Sequence, residues 1–303
     1  MFDAVIIGGG PAGASCALWL KMLGFRPCLV ERRQSLGGLQ NDNPYPNEWI
    51  ASVMDKTGYE VAQDIHRHLA THGIVCRLGE AVSALDPVPG GFRVTTSSGA
   101  MVFGRAAVLA SGVRPVKGGL AASDQVLIGP GRNMFNATFE GLEVAILGGG
   151  DNAFENYMFV RKRGAAAVHI YARSIRARRE FLEKVPACDV RLGPYDVAPE
   201  RPAVAERAYD RLVVLYGWEP YLPYALHLDL ARNPRGFVKT DADCQTSIPH
   251  LYAVGEIAQR MHPCCVTSMA DGVVAAKAIQ RTLEQDAVGR FVEKVRAIQP
   301  AGS

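Results

Sequence analysis

Phe2-Asp3-Ala4-Val5-Ile6-Ile7-Gly8-Gly9-Gly10-Pro11-Ala12-Gly13 opens a segment that runs on to Glu31 and decides the fold. The first six residues make a short apolar run of strand length. The glycines follow at once, and Ala14 to Leu23 continues as a helix without a breaker. Pro27-Cys28-Leu29-Val30 is a second apolar strand, and it ends in Glu31, eighteen residues after Gly13. In this strand, glycine turn, helix, strand, acid order each part has a physical task. Gly8 permits the tight turn, Gly10 lets a pyrophosphate approach the backbone, and Gly13 lets helix and strand pack closely. Pro11 and Ala12 start the helix, whose free N–H groups and positive dipole end favour phosphate. Glu31 is placed to accept hydrogen bonds from a ribose diol. The segment therefore reads as a dinucleotide site.

Working outward, the 303 residues allow two domains of ordinary size. Hydrophobic residues are 48% and charged residues 21%, the balance of a globular protein. The net charge of +3 comes without a long basic run, which argues against nucleic acid as a partner. No apolar run reaches the length of about 18 residues that a membrane span needs. The N-terminal apolar stretch is too short, and too broken by glycine, for a secretory leader. A cytoplasmic protein is expected. None of the seven cysteines stands in Cys-x-x-Cys spacing, so they are expected to be reduced and mostly buried.

Past Glu31 come Arg32, Arg33 and Gly37-Gly38-Leu39-Gln40, a loop expected to close on the nucleotide. Tyr45 and Trp49 follow in an irregular stretch and suit either a flavin cover or an interface or core. Val61, Ile65 and Leu69 have helical spacing, with Thr57 as the cap. His68 and His72 stand four apart on this helix, but without a third ligand they read as a solvated face, and no metal is expected. Ile74–Leu78, Ala81–Leu85, Phe92–Thr96 and Met101–Phe103 read as a small antiparallel segment. Ala106–Ala110 is a further buried strand, ending in Ser111-Gly112.

The pattern then repeats about 140 residues on. Glu143–Leu147 is the strand, Gly148-Gly149-Gly150-Asp151-Asn152-Ala153 the turn, and a helix runs through Glu155, Tyr157 and Val160. The next strand, Ala167–Tyr171, ends in arginines, Arg173 and Arg176 among them, where the first copy ends in an acid. Arginines suit a 2′-phosphate and favour NADPH over NADH in this second site. Gly236–Asp241 reads as a short hairpin arm, and Val266–Leu283 as a last helix.

On Gly8 to Gly13, Gly37-Gly38, Ser111-Gly112, Gly148 to Ala153 and Gln245 to Glu256, the chain resembles the low-molecular-weight thioredoxin reductase family of flavoproteins. The resemblance implies an α/β fold with two Rossmann-like, doubly wound, three-layer domains, the second inserted in the first. An FAD-binding domain would comprise residues 1–115 and 245–303, and an NAD(P)H-binding domain residues 116–244. It also implies a homodimer. Carried over by motif, the first turn and Glu31 would hold the ADP half of FAD. Gly255-Glu256 would lie by the pyrophosphate and ribityl chain, where relatives usually have Asp in place of Glu256. Val266 and Thr267 would bring the N-terminus of the last helix to the flavin N1–C2=O edge, which becomes negative on reduction.

Two departures bear on function. The family's Cys-x-x-Cys shortly before the second glycine turn is replaced here by Gly129-Pro130-Gly131-Arg132-Asn133-Met134-Phe135-Asn136. Without that dithiol, electrons cannot reach thioredoxin by the family's route. The family's His-Arg-Arg signature reads Tyr171-Ala172-Arg173, which weakens the preference for NADPH. The expected activity is transfer of electrons from NAD(P)H through FAD to another acceptor: a ferredoxin or flavodoxin, a quinone or a small molecule. The ferredoxin-reducing relatives usually carry a longer C-terminal tail than Val288–Ser303. A second reading is a disulfide or dithiol oxidoreductase using Cys264 and Cys265, just before the last helix, where a thiol has a lowered pKa; His262 would shuttle protons there. A third is a non-catalytic flavin sensor with a degenerate second site.

Overall fold

The computed structural model describes residues 1–198 and 201–298. The chain forms two compact units, one of residues 1–113 together with the chain from 220 onward, the other of residues 114–219.

In the first unit the order along the chain is β1 (Phe2–Ile7), α1 (Pro11–Met22), β2 (Pro27–Glu31), α2 (Gly58–Thr71), β3 (Val75–Leu78), β4 (Val82–Val88), β5 (Gly91–Thr96) and β6 (Met101–Leu109). After the second unit, β16 (Leu251–Ala253) and α6 (Cys265–Ile298) complete it. One seven-stranded sheet runs β3-β2-β1-β6-β5-β4, with β16 also paired to β6. β1 is apolar at successive positions because both its faces are covered, as is usual for a central parallel strand. Ala4 and Ile6 are buried with Cys16 and Leu20 of α1 and Ala275 and Ile279 of α6. Val5 and Ile7 are buried on the other face with Phe92, Leu222, Tyr224 and Val238.

Several boundaries differ from those expected. Ile74–Leu78 does not join the antiparallel segment: β3 pairs parallel with β2, Cys28 opposite Val75, because α2 acts as a crossover helix. Met101–Phe103 and Ala106–Leu109 belong to one strand, β6, antiparallel to β5 and parallel to β1, and Ala110 lies just past its end. Gly236–Asp241 makes only an isolated bridge, Arg232 to Val238. The first unit resumes at Pro220 rather than Gln245. The reason lies in the core, since Leu222, Tyr224, Leu230 and Val238 cover the β1 face that carries Val5 and Ile7. The last helix does not stop at Leu283 but runs to Ile298. Glu284–Ile298 contains no proline and one glycine, so nothing breaks it.

The second unit contains β7 (Val113–Pro115), which leads in from the first, then β8 (Val126–Ile128), α3 (Arg132–Asn136), β9 (Glu143–Leu147), α4 (Asp151–Lys162), β10 (Ala167–Ala172), α5 (Arg179–Leu182), β11 (Val190–Leu192), β12 (Ala203–Val204), β13 (Arg207–Ala208), β14 (Arg211–Val214) and β15 (Trp218–Pro220). Its main sheet, β11-β10-β9-β14-β8, is parallel throughout. Val144 and Ile146 face α4, while Ala145 and Leu147 face Tyr171, Tyr209 and Leu212. The two units thus share the Rossmann-like plan. Among the described residues no helix is long and apolar enough to cross a membrane.

The long helix α6 lies against α1, and the contact is backbone to backbone. A Cβ on Gly272 would stand 2.3 Å from the Ala12 carbonyl oxygen and 2.8 Å from the Cys16 nitrogen. Gly289, on the same helix, has nothing within 4 Å of such an atom. The same substitution should therefore have opposite signs at the two sites. Gly272→Ala is expected to cost about 1–3 kcal/mol through overpacking, and Gly289→Ala to add about 0.5–1 kcal/mol through helix propensity. Urea unfolding followed by circular dichroism checks both.

Candidate functional site

In the first unit a cleft opens where the C-terminal ends of β1, β2 and β6 meet. It lies where open parallel sheets bind ligands. The glycine turn after β1 forms its floor. Gly8 has φ +112°, and a Cβ there would lie 2.3 Å from the Ala110 oxygen. A Cβ on Gly13 would lie 2.0 Å from the Gly8 oxygen, so helix and turn touch through their main chains. The second glycine loop closes over the first: a Cβ on Gly38 (φ +55°) would reach within 2.9 Å of the Gly10 Cα. Helix α1 begins at this point with Pro11, and no side chain caps it. Its leading N–H groups are left for a ligand.

Glu31 is 6% exposed at the end of β2 and lines the cleft. Its carboxylate accepts from the Gly9 N–H at 2.7 Å and from the Arg33 N–H at 2.8 Å. These two bonds fix both oxygens and leave lone pairs for a diol. Arg33 pairs with Asp42 at 2.7 Å. The Arg32 guanidinium lies 4.9 Å from the centre of the Tyr221 ring, and both residues line the cleft. Ser111 is held by the Tyr224 hydroxyl at 2.7 Å, while Gln40 accepts from Asn47 at 2.7 Å.

The opposite wall comes from the turn after β16 and the start of α6. Glu256, Cys264, Cys265 and Ser268 line it. Desolvation raises the pKa of the Glu256 carboxyl. Cys264 precedes α6 in a reciprocal cap: its N–H donates to the Thr267 hydroxyl oxygen at 3.2 Å, and the Thr267 N–H donates to its Sγ at 3.5 Å. Burial alone would raise the Cys264 thiol. The hydroxyl of Thr267 and the N–H groups of Thr267 and Val266 outweigh burial and the nearby Glu256, and leave it below its ordinary value. Cys265 has no such donors, and desolvation, with Cys264 and Glu256 adding to it, pushes its thiol up to about 12.

The second unit carries its own glycine turn at the C-terminal end of β9. A Cβ on Gly148 would meet the Leu215 oxygen at 2.4 Å, and one on Gly149 the Ser174 oxygen at 1.9 Å. Gly150 precedes α4 with no side-chain cap and with open space around it. The segment after β10 is tied onto this turn. The Arg176 N–H donates to the Gly149 oxygen at 2.7 Å, and the Arg178 N–H to Asp151 at 2.8 Å. Arg173 and Arg176 are exposed there, with the Arg173 guanidinium 5.9 Å from the Tyr195 ring centre.

The cleft in the first unit brings together Gly8, Gly10, Pro11, Ala12, Glu31, Arg32, Gly38, Gln40, Gly112, Glu256, Cys264 and Cys265. Gly13 and Gly255 lie behind it as packing contacts, Gly255 with φ +73° against Ala12. Thr267 acts through the helix cap, Val266 is 45% exposed, and His262 is exposed, so none of these three lines the cleft. Tyr45 and Trp49 are 46% and 79% exposed and also lie outside it. Residues that the sequence did not point to include Glu80, Ala81, Val82, Tyr221 and Tyr224. The first three follow β3, whose place beside β2 no local pattern marks. The tyrosines belong to the segment expected in the other domain.

The residues present suit a flavin dinucleotide: an uncapped helix N-terminus opens on the cleft beside two glycine loops, with a fixed carboxylate at the end of β2. The sequence model for pyridine nucleotide-disulphide oxidoreductases matches residues 2–188 and 196–277. A ferredoxin–NADP reductase from Lactococcus lactis subsp. cremoris (strain SK11) is 28% identical over 94% of this chain and 95% of its own length. Among solved structures, thioredoxin reductase from Lactococcus lactis superposes with a TM-score of 0.78 at 20% identity, covering 94% of this chain and all of that one. The bacillithiol disulfide reductase of Staphylococcus aureus superposes with a TM-score of 0.76 at 16% identity, covering 93% and 98%. Since the family match takes in most of the sequence, the chain belongs to the pyridine nucleotide-disulphide oxidoreductases, and it is an FAD-dependent enzyme that uses a nicotinamide dinucleotide.

Proposed function

We propose that this enzyme takes electrons from NADPH at the second glycine turn, holds FAD in the first-unit cleft, and passes the electrons to a small redox protein such as a ferredoxin or flavodoxin. FAD in that place supplies the exchange between a hydride pair and single electrons. The chain's own residues bind and orient. With FAD bound, the α1 N-terminus would hold the phosphates, Glu31 would accept from the ribose, and the first turn of α6 would offer its positive dipole end to the flavin. The observation that carries the reading is the pair of uncapped glycine turns, one in each parallel-sheet unit. The acceptor is inferred from relatives named ferredoxin–NADP reductase that align over 94% of the chain. The sequence between Gly129 and Asn136, which lacks a dithiol, supports an acceptor other than thioredoxin. We further infer a homodimer in the cytoplasm, from the family layout and the unpaired buried thiols Cys16, Cys28 and Cys244.

The FAD domain would then comprise residues 1–113 and those from 220 on, and the NADPH domain residues 114–219. Arg173 and Arg176 would meet a 2′-phosphate. Anaerobic stopped-flow mixing should bleach the flavin band faster with NADPH than with NADH. The double variant Arg173→Ala, Arg176→Ala is expected to raise the KM for NADPH about 10- to 100-fold, the worth of charge-assisted hydrogen bonds, and to leave that for NADH nearly unchanged. An equal loss for both nucleotides would remove the assignment.

A second reading is a disulfide or dithiol reductase acting through Cys264, and its support is the lowered thiol facing the cleft. Iodoacetamide at pH 7.5 should label Cys264 well before Cys265, and Thr267→Ala should slow that labelling severalfold by removing the stabilising hydroxyl. Peptide mapping reads both rates. If Cys264→Ser keeps full turnover with the best acceptor, this second reading falls.

A further inference from the structure

Behind the cleft wall lies a buried charged cluster that the site described above does not use. Asp271, on α6, is 3% exposed. One of its carboxylate oxygens accepts from the Gly255 N–H at 3.1 Å, and the other pairs with Arg260 at 3.1 Å. The Arg260 guanidinium also donates to the Ala242 oxygen at 3.0 Å and to the Cys244 sulfur. The carboxylate, with Arg260, therefore joins three segments: the turn after β16, helix α6, and the loop before β16. The first two reach the cleft. Glu256, next to Gly255, lines it, and so does Ser268, one helical turn before Asp271. A Cβ on Gly255 would stand 3.4 Å from the Ser268 hydroxyl oxygen and 2.8 Å from the Ala12 Cβ. The residue after Asp271, Gly272, seats α6 directly on α1 at Ala12, which also lines the cleft. A buried carboxylate is costly to keep without partners, and this one has both a cation and an N–H. Desolvation pushes its pKa up, and the Gly255 N–H and Arg260 act in the opposite direction, favouring the charged form.

We propose that Asp271, held by Arg260, is a positioning residue that locks the Gly255–Glu256 turn against the start of α6 and so sets how tightly the cleft holds FAD. The proposal rests on the reading that FAD occupies this cleft. Its test is the rate of FAD release from the purified holoprotein, followed as the rise of flavin fluorescence after dilution, with thermal unfolding measured separately. Asp271→Ala is expected to release FAD at least about tenfold faster, the worth of a hydrogen bond to a charged group. Asp271→Asn keeps an oxygen for the Gly255 N–H and should fall between Asp271→Ala and the natural protein. Arg260→Met should speed release severalfold. If Asp271→Ala does not fold, Asp271→Asn and Arg260→Met carry the test.

A lower melting temperature with unchanged release, in all three variants, would reduce the cluster to a purely structural role and overturn the proposal. Glu31→Gln separates the two levels. If it also leaves release unchanged, the cleft is not the FAD site and the proposal falls with that reading. If it speeds release while Asp271 and Arg260 variants do not, only the clamp is overturned.

Discussion

The fold depends on one close approach, that of the α1 backbone to the end of β1. Because Gly13 has no side chain, the helix sits directly on the Gly8 carbonyl, which a Cβ would meet at 2.0 Å. Nothing larger than hydrogen fits there. The contact places the helix N-terminus, with its unbonded N–H groups, at the C-terminal edge of the parallel sheet. In the second unit the corresponding turn is packed differently: Gly149 lies against the main chain of Ser174, in the segment after β10, and Ala153 stands in the helix where the first unit has Gly13. In the first unit the start of the helix is thus set by main-chain packing.

Around that seat the charged groups of the first unit are arranged in pairs. Glu31 is tied by two N–H groups, Arg33 by Asp42, and Asp271 by Arg260 and the Gly255 N–H. Glu256 has no such tie. It lines the cleft with no hydrogen-bond partner among the described residues, and desolvation raises its pKa. A carboxyl with no partner of its own is available to a molecule bound in the cleft. The two adjacent thiols show how local such effects are. Cys264 and Cys265 are neighbours in sequence, yet the cap donors at the start of α6 lower one while burial raises the other.

The family membership and the fold were legible in the two glycine turns, because a turn of that kind works only between a strand and a helix. The site was legible to the same depth. Gly8, Gly10, Glu31 and Gly38 act through local geometry, and their spacing alone places them in the cleft. Val266 and His262 lie close to the right place but outside the cleft: Val266 is on the exposed face of the first turn of α6, and His262 is in the exposed loop before it. The aromatic pair Tyr45 and Trp49 satisfies no composition rule that separates a cover from a surface, and packing leaves both exposed.

What the sequence determined by itself was the set of local elements: strand, glycine turn and helix, twice, with an acid after one copy and arginines after the other. Those follow from backbone sterics and periodicity within a few residues, which a sequence displays directly. Tertiary structure alone decided what covers the second face of the first sheet. The segment holding Leu222, Tyr224 and Val238 returns to the first unit because it buries the apolar face of Val5 and Ile7, a partner more than 200 residues away in the chain. It likewise decided that Tyr221 meets Arg32 in the cleft and that Asp271 meets Arg260 behind it. Such contacts arise from the free energy of burying surfaces against each other, and no local pattern records which surface finds which.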